Sequence, residues 1–228
     1  MCAILKIYLN EKLFLKDPEE TELGRKIIQK SIDMIDKIGF EQFTFKKLAL
    51  AIQSTESSIY RYFENKHRLL IYIISWYWAW LNYRIDFQTN NISDHQKKLK
   101  IIIKEVAESS KPDASFIHIN ENTLHRIVVA EAVKVYLTKD VDSDNKDGFF
   151  KEYTLLCRKI AELISKINPN YKYAHSLAGT IIETAHQQLF FAWHFKTITE
   201  MNNNNLVYKN IAEFIEHIAF SAINSNNS

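Results

Sequence analysis

Glycine and proline are scarce in this chain, with four glycines and three prolines among 228 residues. A sheet-rich fold needs many tight turns, and those two residues supply most of them. Their scarcity therefore predicts long helices joined by a few breaks, an all-α fold class. Hydrophobic residues make up 46% of the chain and charged residues 25%. That is the balance of an ordinary globular protein, with apolar area enough for one large domain or two small ones.

One stretch has strand character. Residues 4–9 and 12–16 flank Asn10-Glu11 and read as a short N-terminal β-hairpin, the other reading being an irregular arm. Helical periodicity then takes over. Leu23, Ile27, Met34 and Ile38 recur at three-to-four spacing, with Gly39 placed as a left-handed C-cap. Thr44, Thr55 and Asn65 are placed to N-cap three successive helices, the last running from Lys66 to about Phe87. Three helix starts so close together suit a compact trihelical head. Further helices are predicted over about 93–110, 120–138, 147–168, 171–196 and 206–223. The breaks fall at Lys111-Pro112-Asp113 and Asn168-Pro169-Asn170. Asp140 to Asp147 reads as a solvated loop, and Met201 to Asn205 as an Asn-rich linker.

Net charge is only +2, but the excess is local: residues 22–70 hold nine Lys/Arg against six Asp/Glu. A positive stretch of this size fits phosphate binding, and also an ordinary solvated face. The two cysteines, Cys2 and Cys157, form no metal or redox spacing, and the N-terminus has no secretory pattern, so a cytoplasmic location is expected. The longest apolar run, Leu69 to Leu81, is 13 residues, short of the roughly 20 needed to span a bilayer.

The head is the most informative segment. Thr44 opens a short helix in which Leu48 and Ala49 face inward; a turn follows; Thr55 opens a second short helix anchored by Ile59 and Phe63. Ser57, Ser58, Arg61 and Tyr62 are expected to project outward. A helix with small polar residues at its start fits the major groove, about 12 Å wide. The string from Ile59 through Leu70, IYRYFENKHRLL, together with Gly39-Phe40 and Leu48-Ala49, resembles the tetracycline-repressor (TetR) family of regulators over residues 22–70. The resemblance implies a helix-turn-helix domain at 21–70 after an arm at 1–20, with 71–228 forming a helical ligand-sensing and dimerisation domain. It implies phosphate contacts by Thr44, Tyr60 and Lys66. It also implies contacts to base edges or nearby phosphates by Ser57, Ser58, Arg61 and Tyr62, with Thr55 as the cap that positions the reading helix. Two departures stand out. Gln53 occupies a turn position where the family usually has glycine, and Glu56 opens the reading helix where the family often has a basic residue. A positive φ at Gln53 would be strained. Glu56 repels a nearby phosphate, yet a carboxylate can accept from the cytosine amino group.

The body carries no such motif. Tyr72, Trp76, Trp80, Tyr83 and Phe87 form an aromatic stripe on the helix that leaves the head, which fits both core packing and a pocket wall. Trp76, Trp80, Tyr83 and His125 are the candidate contacts for a small effector of unknown identity. His118–His125 and His186–His194 are helically spaced pairs without a tight carboxylate–histidine set, so no metal and no cofactor are expected. The last two predicted helices have wide apolar stripes. His186, Leu189, Phe190, Trp193, Phe214 and Ile218 are the candidate dimer contacts, and the resemblance implies a homodimer on a palindromic operator. No GxSxG, GxGxxG, P-loop, CxxC or HExxH motif is present, so a non-enzyme is expected. The expected function is a DNA-binding transcriptional regulator, a repressor modulated by the effector. The alternative is a helical dimer of the same fold that binds a ligand or partner without gripping an operator.

Overall fold

The computed structural model describes residues 7–108, 119–201 and 206–225. Among them no strand forms, and eleven helices follow in order: α1 Glu22–Gln42, α2 Phe45–Ala51, α3 Glu56–Tyr60, α4 Lys66–Thr89, α5 His95–Ala107, α6 Glu121–Glu131, α7 Val133–Tyr136, α8 Val141–Lys146, α9 Lys151–Ile167, α10 Ala174–His194 and α11 Val207–Asn224. The N-terminal hairpin is not formed within the described residues: Glu11–Leu13 and Pro18–Glu20 are 3-10 turns instead. Asn10 and Asp17 cap them, each side chain accepting a backbone N–H two residues on, so the polar residues read as a hairpin turn start helical turns. The segment predicted as a loop at 140–147 contains α8. The predicted helix over 120–138 is two pieces, α6 and α7. The break at 111–113, His118 and Asn202 to Asn205 lie outside the described residues.

Two compact units can be described separately. The first comprises Met1–Ala79 and Ser110–Lys151, the second Trp80–Ser109 and Glu152–Ser228, as far as each is described. Residues 21–70 lie wholly in the first; residues 71–228 are shared by both.

In the first unit, Ile27, Ile28, Ile32 and Ile35 of α1 are fully buried with Leu48, Ile59, Phe63, Leu69 and Leu70. This is the apolar stripe the spacing predicts. Thr21 Oγ1 caps α1 by accepting from Gly24 N at 3.0 Å, and a side chain at Gly24 would collide with the Pro18 backbone. The N-terminal arm closes over this core. Leu13 is buried, and Phe14 packs edge-on against Tyr72. Leu15 N donates to Tyr62 O at 2.8 Å, and Asn10 Nδ2 donates to Asp147 O at 2.7 Å. α8 is anchored from its polar side, where the buried Asp144 carboxylate receives Arg68 Nη1 at 2.7 Å.

In the second unit, α5, α10 and α11 pack together with α9 and the last part of α4. Leu99, Ile103, Leu156, Ile160, Ile164, Ile181, Ile182, Leu189, Ile211, Ile215 and Ile223 are buried. Asn168, in the break after α9, donates to the Ile223 carbonyl at 2.7 Å. Arg84 pairs with the buried Glu105 at 2.8 Å while its guanidinium lies 4.9 Å from the centre of the Trp80 ring.

Candidate nucleic-acid interface

Each helix of the head starts where a side-chain oxygen accepts a backbone N–H that lacks an intrahelical partner. Thr44 Oγ1 accepts from Lys47 N at 3.2 Å, Thr55 Oγ1 from Ser58 N at 3.2 Å, and Asn65 Oδ1 from Arg68 N at 2.8 Å. All three predicted caps are in place. On α2, Phe45, Leu48 and Ala49 are buried while Lys46, Lys47 and Leu50 are exposed. The turn that follows is a Schellman motif: Ser54 N donates to Ala49 O at 2.9 Å and Gln53 N to Leu50 O at 3.2 Å. That motif needs a left-handed residue, and Gln53 supplies it at φ 55°, the one non-glycine residue with positive φ among the described residues. The strain anticipated from its position is present.

α3 has one anchor and an open side. Ile59 is fully buried, whereas Glu56, Ser57, Tyr60 and Arg61 are exposed and Ser58 is half-buried. Thr55 Oγ1 lies 2.9 Å from both Ser57 Oγ and Ser58 Oγ, which ties the hydroxyls of the first turn together. The Tyr60 ring meets Phe45 edge-on at 5.0 Å, and nearly half of the residue remains exposed.

One residue expected to project outward is placed otherwise, and one expected phosphate contact has its ammonium engaged within the protein. Tyr62 does not project: it is 4% exposed, its hydroxyl 2.7 Å from Thr21 Oγ1 and its ring beneath Lys16. The aromatic body is drawn into the core while its polar tip finds the cap of α1. Lys66 is half-buried, and its ammonium donates to the carbonyls of Phe40, Glu41 and Phe43 at 3.1, 3.3 and 3.2 Å. A lysine ammonium has three N–H donors, and all three are taken by the end of α1.

The end of α1 is unusual. Gly39 was expected as a left-handed C-cap. It has φ 74° but an extended ψ of 157°, and one further turn, through Gln42, follows it. That combination is almost confined to glycine. The freed N–H of Phe40 donates to Glu131 Oε1 of α6 at 3.0 Å. Glu131 in turn pairs with Lys134 at 2.7 Å, and Lys134 reaches Glu41 at 3.2 Å. Burial alone would lower the Lys134 pKa, but the two carboxylates outweigh it and raise it. The sequence alone does not single out Glu131, Lys134 and Asp144: the Glu131–Lys134 pair is an ordinary i,i+3 helix pair, and the partners that give these residues their roles, Phe40, Glu41 and Arg68, lie far along the chain.

The candidate effector contacts divide between the units. Trp76 and His125 are buried in the first, where His125 stacks on Tyr77 at 5.9 Å. Trp80 is fully buried in the second, and Tyr83 lines an open cleft of about 530 Å³ there with Asp86, Phe87, Thr89, Asn90 and Lys98. Of the candidate dimer contacts, Leu189 and His186 are buried within their own unit, whereas Phe190, Trp193 and Ile218 are half-buried and Phe214 is 36% exposed. Burial lowers the pKa of His186 to about 4. Among the described residues no group of three or more His, Cys, Asp or Glu side chains converges to hold a metal ion, and no helix is long and apolar enough to cross a membrane.

Two short helices, a tight turn and a buried anchor on the second, carried on a helical body, define a helix-turn-helix protein. Residues 27–73 match the family model described as "Bacterial regulatory proteins, tetR family". The head therefore belongs to that family. The chain as a whole shares its fold with several solved proteins of low sequence identity. AibR, solved with isovaleryl coenzyme A and operator DNA, is 14% identical, with 85% of this chain and 97% of that one covered at a TM-score of 0.59. The fatty acid degradation regulator FadR from Bacillus halodurans is 18% identical over 89% and 98%, also at 0.59. The ketosteroid regulator KstR2 of Mycobacterium tuberculosis is 11% identical over 94% and 96%, at 0.57. No curated protein sequence matches the chain significantly.

Proposed function

We propose that this protein is a sequence-specific, DNA-binding transcriptional regulator. It works as a homodimer on a palindromic operator, represses, and is modulated by a small molecule. The observation that carries the reading is the exposed face of α3. Glu56, Ser57, Tyr60 and Arg61 face outward from a helix whose Ile59 is locked in the core and whose start is capped by Thr55. A rigidly seated helix with an open polar face is what the major groove accepts. Ser57, Ser58 and Arg61 are assigned to base edges or adjacent phosphates, Thr44 and Tyr60 to phosphates, and Glu56 to the edge of the reading face. Lys66 acts on DNA through the α1 end that it caps. Tyr62 acts through the core. Regulation rather than catalysis fits the family of the head, and AibR offers the precedent of one such fold holding an acyl-coenzyme A together with operator DNA.

Selection from a library of random duplexes tests the proposal. The protein should enrich one inverted-repeat sequence, and its affinity should fall with salt at a log–log slope of about −0.9 per phosphate neutralised. Failure to enrich any sequence, with binding indifferent to salt, would sink it.

A further inference from the structure

Phe40 is held from both sides of its own backbone. Its N–H donates to the Glu131 carboxylate of α6 at 3.0 Å, and its C=O accepts from Lys66, the first residue of α4, at 3.1 Å. The residue before it, Gly39, has the glycine-only backbone that leaves this N–H unpaired within α1. Four residues later Thr44 caps α2, so whatever fixes Phe40 fixes where the helix-turn-helix departs from α1. Glu131 is 7% exposed and carries the Lys134 ion pair at 2.7 Å, so its carboxylate is both buried and oriented. A buried charge-assisted hydrogen bond is stiff and short of alternatives.

We propose that Glu131 is a positioning residue for DNA recognition. With Lys66 it clamps the Gly39–Phe40 kink and so sets the angle at which α2 and α3 leave α1. The proposal rests on the DNA-binding reading above. It makes an unusual demand. Removing an acidic side chain raises the net charge by one, and charge alone would tighten binding to a polyanion. A clamp predicts the opposite for a specific site.

Glu131→Gln and Glu131→Met have similar reach and equal charge, but only Gln keeps an oxygen to accept from Phe40 N–H. Binding is measured to the duplex that the wild-type protein selects from a random library, and to a scrambled duplex, with thermal midpoints recorded for each variant. Met should lose affinity for the selected duplex on the order of tenfold, while Gln stays within about threefold, the difference being one hydrogen bond to a buried donor. Both should hold the scrambled duplex at least as well as wild type. Equal binding of the selected duplex by Met and Gln, or tighter binding by both, overturns the proposal. Should the Met variant not fold, the wild-type Phe40 amide decides: its hydrogen exchange should slow when the selected duplex is bound, and an unchanged rate overturns the clamp. If wild type enriches no sequence, the DNA-binding reading falls and this proposal with it.

Discussion

Gln53 occupies the left-handed position of the turn between α2 and α3 at φ 55°, where a Cβ is crowded and glycine is not. Gln53→Gly should stabilise the protein by about 0.5–1 kcal/mol, the relief of left-handed strain less the greater chain entropy of glycine. Denaturant unfolding checks it, and a loss of stability would show that the glutamine side chain makes a contact that matters. This site was legible in the sequence because turn chemistry is local. His186 was not legible in the same way. Its helical position was clear, but its burial depends on α10 packing inside its unit. Burial brings its pKa from the ordinary 6.5 to about 4. The unfolded ring takes up a proton as pH falls through about 6.5, while the folded one resists until about 4. The stability held by the neutral ring is therefore complete above pH 6.5, declines below it, and is lost by pH 4. The slope in that window reaches at most about 1.4 kcal/mol per pH unit for one proton. His186→Leu should flatten the stability profile between those limits. An unchanged profile would mean that the acid sensitivity belongs to other groups.

At the scale of elements, the helices with apolar periodicity were readable, and the ones held by polar tertiary contacts were not. α1, α10 and α11 each bury a stripe that recurs in the sequence, so pattern and packing agree, whereas α4 is buried on every side from Leu69 to Asn82 except at Ala79, as its continuous apolar run requires. α8 has the sequence VDSDNK, which carries no such stripe. What holds it is Asp144, whose carboxylate is inserted against Arg68 at 2.7 Å, with the Arg68 guanidinium 4.4 Å from the Phe149 ring centre. The reading of 140–147 as loop failed because that partner sits 76 positions earlier. Asp144→Ala should therefore destabilise by about 2–4 kcal/mol, since it leaves a half-buried guanidinium with only the exposed Glu64, at 3.9 Å, as a carboxylate partner, and calorimetry should record the drop. A loss below about 0.5 kcal/mol, the level of an exposed pair, would show that α8 is held by something else. The same distinction separates two accounts of Lys66. A phosphate contact that is removed lowers affinity and reduces the salt slope by about one, whereas a helix-end cap that is removed lowers stability and leaves the slope alone. With three carbonyls on its ammonium, Lys66→Met is expected to lower the melting temperature and weaken binding with the slope retained. A slope reduced by one at unchanged melting temperature would restore the phosphate role.

For the molecule as a whole, the question is what covers the outer sides of α10 and α11. Leu189, Ile211 and Ile215 are buried in the interior of their unit, but Phe190, Trp193, Phe214 and Ile218 keep apolar surface in water. If they adjoin, such half-buried rings and branched chains on two packed helices make the kind of apolar patch that a partner covers. A second copy meeting the same face satisfies it by two-fold symmetry, which also matches a palindromic site, with half-sites about 34 Å or one further helical turn apart. The sequence carried the stripe but could not divide it, because inward and outward positions of a wide stripe look alike until the packing of α5 against α10 and α11 is known. A double substitution, Trp193→Asp with Phe214→Asp, places charge on one half-buried and one exposed position and leaves the fully buried ones intact. It should shift the protein to monomer in sedimentation velocity while the circular dichroism of the helices is kept. Binding to an inverted repeat should then fall by on the order of a hundredfold or more, because two half-sites no longer share one tethered ligand, while binding to a single half-site changes little. If the doubly charged protein remains a dimer, the interface lies elsewhere. If it becomes monomeric yet binds the inverted repeat as before, the two heads do not act together and the palindromic operator is the wrong target.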